Sequence, residues 1–159
     1  MRNEKGFTLI ELLIVVAIIG IIAAIAIPSL LNALDRARQT TTVANLEKLG
    51  QSVEQYIMDH NRVGSPKTGD ADINDLQAIF VATEINLNPG MLKDGWGEFF
   101  IYFYEAGLGN KGYSLTSYGS DAKSGPAPAT AGIVKKFPED IIYSAGRFIQ
   151  KPEGAQLSK

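Results

Sequence analysis

The N-terminus reads Met1-Arg-Asn-Glu-Lys-Gly6, then Phe7-Thr-Leu-Ile-Glu11, then Leu12-Leu-Ile-Val-Val-Ala-Ile-Ile-Gly20-Ile-Ile-Ala-Ala-Ile-Ala-Ile27, then Pro28-Ser-Leu-Leu31. A short polar segment, net basic through Arg2 and Lys5 against Glu4, gives way abruptly to an apolar run with a single carboxylate near its start. As a helix, Phe7 to Leu31 rises about 37 Å, enough to cross a hydrocarbon layer of about 30 Å. The basic flank predicts a cytoplasmic N-terminus. A secretory signal peptide is the rival reading, and Ala24-Ile25-Ala26 offers a small-x-small cleavage site for it. Such a peptide has a shorter apolar core, however, and gains nothing from burying an acid.

That acid is Glu11. A carboxylate within a spanning helix costs about 3 kcal/mol at the centre and less near the interface. Two readings stand from the residues alone. Glu11 can sit at headgroup depth and reach water, or it can have a cationic partner. If the chain is cut after Gly6, the new α-amino group of Phe7 lies one helical turn before Glu11. In a bundle of such helices that amine can pair with Glu11 of a neighbour and set the stagger between subunits. Pro28 lacks an N–H and crowds the carbonyl of Ala24. It predicts either a static kink or, with Gly20, a weakened stretch that lets the helix lengthen in a bundle.

Lys5-Gly6-Phe7-Thr8-Leu9-Ile10-Glu11-Leu12, followed by the apolar run and Pro28, closely resembles the class III signal of type IV pilins and type II secretion pseudopilins. The resemblance implies cleavage of Gly6–Phe7 by a prepilin peptidase of the inner membrane, N-methylation of Phe7, and extraction of the subunit into a helical filament. Glu11 and Pro28 are then assembly residues. Residues 1–6 are a leader, 7–31 a membrane and filament-core helix, and 32–159 a periplasmic domain that includes the amphipathic half of the same helix.

Past the anchor, Val43, Leu46, Leu49, Val53, Tyr56 and Ile57 recur at helical spacing, which continues the helix to about Asp59 with one apolar face. His60 at its end is a C-terminal dipole partner rather than a catalytic base. Val63 to Gly69 reads as a loop, and Asp72 as the cap of a short helix that buries Ile73, Leu76, Ile79 and Phe80. Phe99–Tyr104 and Tyr113–Tyr118 read as two strands around a glycine-rich turn, with Phe99, Ile101 and Phe103 expected against the helix. Ile141, Ile142, Tyr143, Phe148 and Ile149 are apolar enough to dock, and Pro152–Lys159 reads as a mobile tail. The fold class is therefore α+β, a long N-terminal helix packed on a small antiparallel sheet.

Asp94-Gly-Trp-Gly97, the aromatic strand, and Tyr113-Ser-Leu-Thr-Ser-Tyr-Gly-Ser-Asp121 extend the resemblance to the major pseudopilin of type II secretion. Gly95 stands where that family has proline, and Ser120 where it has alanine. In that family the loop after the second strand binds calcium. Asp121 matches one ligand, while Gly132 stands in place of the second aspartate. Calcium takes six to eight oxygens, usually with more than one carboxylate. Without a cation, Asp121 stabilises a turn through its side-chain oxygen.

The 159 residues, 45% apolar and 20% charged with a net charge of −2, suit one compact domain with an anchor. No basic stripe marks a nucleic-acid binder. The chain has no cysteine, so neither a disulfide nor a thiolate site can form, although many type IV major pilins close a C-terminal loop with a disulfide. With one histidine and no phosphate loop, HExxH or GxSxG motif, catalysis is not expected. The expected partners are further copies of this chain, minor pseudopilins, the prepilin peptidase and an inner-membrane assembly platform. The expected function is that of a pseudopilus subunit, with a surface type IV pilus as the alternative.

Overall fold

The computed structural model describes residues 6–61, 89–104, 112–123 and 132–157. The loop and short helix expected between Val63 and Phe80, and the turn expected at 107–112 apart from its last residue, lie outside these. The chain divides into two compact units, Met1–Leu34 and Asp35–Lys159.

The first unit is helical from Leu9 onward, as part of helix α1, Leu9–His60. Every large apolar side chain from Phe7 to Leu34 is exposed. A soluble helix exposes one polar stripe. A helix apolar on all faces with nothing covering it needs lipid or other helices around it. Among the described residues this is the helix long and apolar enough to cross a membrane. The helix runs through Pro28 without interruption.

In the second unit, residues 35–60 of α1 bury Leu46, Leu49, Val53, Tyr56 and Ile57, as their spacing requires. The helix ends where Asn61 turns left-handed at φ 53°, which releases the chain from the helical path. The His60 ring stacks on Tyr56 at 4.1 Å, and its Nδ1 donates to the Tyr56 carbonyl at 3.1 Å. The ring thereby folds back onto the last turn of the helix, adding a side-chain donor to the Tyr56 carbonyl.

Five strands form the sheet: β1 (Ile101–Tyr104), β2 (Tyr113–Ser117), β3 (Gly132–Lys136), β4 (Ile141–Ser144) and β5 (Arg147–Leu157), in the order β1-β2-β4-β5-β3. All neighbours are antiparallel except β3 and β5, which run parallel. The sheet is therefore mixed rather than purely antiparallel. The tail expected to be mobile from Pro152 is strand through Leu157. Pro152 pairs opposite Val134, and a register irregularity in β3 follows immediately, where a residue without an N–H is tolerated.

The aromatic strand faces the opposite way from expectation. Phe100 and Tyr102 are buried at 1% and 0% exposure, whereas Phe99 is 48% exposed. Period-two alternation separates two faces but cannot say which is inner when both are apolar. The choice is made outside the strand. The Phe100 N–H donates to the Leu92 carbonyl at 3.0 Å, Tyr102 stacks on Tyr113 at 6.2 Å, and Phe99 lies under the Lys93 ammonium at 4.6 Å.

Two close approaches seat α1 on the rest of the unit. At Gly50, a Cβ would run into the Tyr143 ring. Beside it the Tyr113 hydroxyl lies 2.9 Å from Glu54 Oε1 and 3.2 Å from the Gly50 carbonyl, with both oxygens as its acceptors. Burial, and then the hydrogen bond and charge of Glu54, push the Tyr113 phenol far above its ordinary range. Burial, then the charges of Glu54 and Glu47, push Tyr143 up as well. In the unfolded chain both phenols ionise near pH 10, so the folded state binds the proton more tightly. Their contribution is intact below about pH 10 and is lost as the pH rises beyond it. Tyr113→Phe is expected to cost about 1 kcal/mol at neutral pH and to flatten the alkaline fall in stability. Urea melts of the detergent-solubilised chain between neutral pH and pH 11 measure both effects.

Candidate functional site

Helix α1 opens with a reciprocal cap. Thr8 occupies the N-cap and Glu11 the third helical position. The Thr8 N–H donates to Glu11 Oε2 at 2.8 Å and the Thr8 hydroxyl donates to the same oxygen at 2.7 Å. The Glu11 N–H in turn reaches Thr8 Oγ1 at 3.4 Å. This is a capping box, which satisfies amide donors that a helix start leaves open and places a carboxylate at the positive end of the helix dipole. Glu11 thus has partners within its own chain while the Gly6–Phe7 peptide is intact. That peptide precedes the helix, and Phe7 is 87% exposed. Gly6 and Phe7 precede the helix, Glu11 lies in its first turn, and Pro28 lies further along the same helix. Thr8 is a capping residue that the charge and hydropathy pattern alone does not single out. Its signal was legible in Thr8-Leu-Ile-Glu11, which is the capping-box pattern itself.

A second constellation centres on Asp94. Its Oδ1 accepts the N–H groups of Trp96 at 2.9 Å and Glu98 at 3.0 Å, and its Oδ2 accepts the Ser117 hydroxyl at 2.8 Å. The carboxylate, 7% exposed, thereby ties the turn before β1 to the end of β2. The turn docks on α1 through Gly95, whose N–H donates to Thr42 Oγ1 at 2.8 Å, and through Asn45 Nδ2, which donates to the Lys93 carbonyl at 3.1 Å. A Cβ on Gly95 would overlap the Arg38 carbonyl. Glycine at position 95 therefore has a local reason. This turn lies closer to the helix than a side chain allows, and it uses the N–H that proline lacks.

Asp121, the candidate calcium ligand, is exposed and its Oδ1 accepts the Lys123 N–H at 3.1 Å in an Asx-type turn. Among the described residues no three acidic or imidazole side chains come together as a metal site. From Tyr118 to Val134 the sequence has no other carboxylate. That donor set does not fit calcium, which needs several hard oxygens and usually a second carboxylate.

Residues 1–27 match the prokaryotic N-terminal methylation motif, and residues 29–136 match the family described as type II secretion system protein G. The chain belongs to that protein G family. It is 31% identical over 143 residues to the type II secretion system core protein G of Pseudomonas aeruginosa, a match covering 83% of this chain and 94% of that protein. The counterpart in Vibrio cholerae is 29% identical over 144 residues, covering 84% and 92%. The type IV wide pilus major component of Thermus thermophilus is 56% identical over 61 residues, which is 38% of this chain and 47% of that protein. The chain thus spans about half the length of that pilus relative. No solved structure matches. In protein G terms, β4 and β5 lie beyond the matched region, so this chain completes its sheet with residues that the family match does not reach.

The two constellations differ in what they support, and substitutions separate them. Glu11→Ala is expected to leave membrane insertion and the melting of the sheet unchanged while filament yield in sheared fractions falls to background. Asp94→Ala leaves three donors without their acceptor and is expected to cost about 2–3 kcal/mol of stability. Membrane fractionation, filament shearing and urea melts on both variants check the pair.

Proposed function

We propose that this chain is the major structural subunit of a type II secretion pseudopilus, a periplasmic helical filament that assists export of folded proteins across the outer membrane. The observation that carries the reading is the pairing of an uncovered apolar helix start, capped by Thr8 and Glu11, with a protein G domain over residues 29–136. The apolar surface needs lipid before assembly and neighbouring helices after it. In this reading the prepilin peptidase cuts Gly6–Phe7 and methylates Phe7, residues 7–31 hold the subunit in the inner membrane, and the domain from residue 32 lies in the periplasm. Further copies of the chain, minor pseudopilins and the inner-membrane platform are its partners, and nucleic acid is not.

A second reading, a subunit of a surface type IV pilus, is favoured by one observation, the 56% identity over 61 residues to a wide-pilus component. Deleting the gene distinguishes the two. Loss of specific proteins from the culture supernatant, with surface filaments intact, is expected. Loss of surface filaments with secretion unchanged would make the chain a pilin.

A further inference from the structure

The turn Gly119–Asp121, which follows β2, sits where the resembling pseudopilins hold a cation, yet its surroundings carry the wrong charge for one. Exposed Lys123 lies two residues past the turn, and exposed Lys135 and Lys136 lead into Phe137, whose carbonyl the turn contacts, against the single carboxylate of Asp121. The nearest other acids are already engaged. Glu139 Oε2 accepts the Lys135 N–H at 2.6 Å, and Asp140 is 8% exposed and held in an interaction of its own.

Direct contacts fasten the turn on both sides. On one side the Gly119 N–H donates to Ser117 Oγ at 3.2 Å, and that hydroxyl donates to Asp94. On the other the Ser120 N–H donates to the Phe137 carbonyl at 3.0 Å. Gly119 makes this possible. Its φ is +67°, and a Cβ there would press on the carbonyls of Phe137 and Glu139. Those carbonyls are presented by a tight turn, closed by the Glu139 N–H on the Lys136 carbonyl at 3.2 Å and anchored by the Phe137 ring, 1% exposed. Residues 137–139 lie immediately past the segment matched to the protein G family.

We propose that residues 137–139 latch the Gly119–Asp121 turn in place of a cation, so that this chain folds and holds its sheet independently of calcium. A metal in such a loop does two things. It neutralises converging acids, and it ties the end of one strand to the start of a later one. Here there are no converging acids to neutralise, and the tie is made by the peptide groups of Ser120 and Phe137 across a glycine-sized gap. Among the described residues, the Phe137 carbonyl takes the Ser120 N–H, and the Glu139 carbonyl faces the close approach of Gly119.

The full-length chain in detergent micelles provides the test, with thermal unfolding followed in millimolar calcium chloride and in excess EGTA. The midpoint is expected to coincide in the two conditions. A ligand at about 100 times its Kd raises a midpoint by on the order of 10 °C for a domain of this size, so binding of useful affinity cannot be missed. A calcium-dependent rise that Asp121→Ala abolishes would overturn the proposal. This comparison is made on the unaltered chain and does not depend on a variant folding. Gly119→Ala is expected to lower the midpoint by several degrees, equally with calcium and with EGTA. A midpoint unchanged by that substitution would contradict the latch.

Discussion

The contact between residues 35–60 of α1 and the sheet is the constraint on which the domain depends. A single sheet has nothing to pack its inner face against, so the helix supplies the facing wall through Leu46, Leu49, Val53, Tyr56 and Ile57. Such a wall must lie close to its partner to exclude water. At two places it lies closer than a side chain permits, at Gly50 against Tyr143 and at Gly95 against Arg38. Hydrogen bonds then hold what the glycines allow, Tyr113 to Glu54 at one place and Thr42 with Asn45 at the other. Strand β2, buried at all five positions, is gripped between these points. The Asp94 network and the Gly119 turn both extend from its far end.

The same helix meets a different requirement in its first 25 or so residues. There no face is polar, and the carboxylate that interrupts the apolar surface is drawn into the helix cap by Thr8. A charge tied to amide donors at the helix start costs less in a membrane than an unpartnered one. The capping bonds also fix where the carboxylate sits on the helix. Position and cost are thus set by one local motif.

Legibility in the sequence followed the type of signal. Helix α1 could be read to within a residue of its end, because a long apolar run and then a 3.6-residue period leave little choice. Strands β1 and β2 were readable as strands, yet the inner face of β1 was not, since Phe99, Ile101 and Phe103 are as apolar as Phe100 and Tyr102. The hydrogen bond of Phe100 to Leu92 decided it, and no pattern announces such a bond. The tail from Pro152 reads as mobile because chain termini are the segments least tied down. Its parallel partner β3 lies about twenty residues upstream, and non-local pairing leaves no local trace. At the candidate site, the motif containing Gly6, Phe7 and Glu11 is legible in the sequence, as is the capping-box pattern Thr8-Leu-Ile-Glu11. Asp94 was not readable as a hub, because its three acceptor bonds depend on Ser117 arriving from another strand.

The account stands on the N-terminus being processed as a prepilin rather than as an ordinary exported protein. The intact mass of the chain extracted from membranes tests this most directly. The account predicts a mature protein that begins at Phe7 and is heavier by one methyl group, with fragmentation placing that methyl on the N-terminal residue. A mature chain that begins after Ala26, or one that retains Met1 to Gly6, would contradict it.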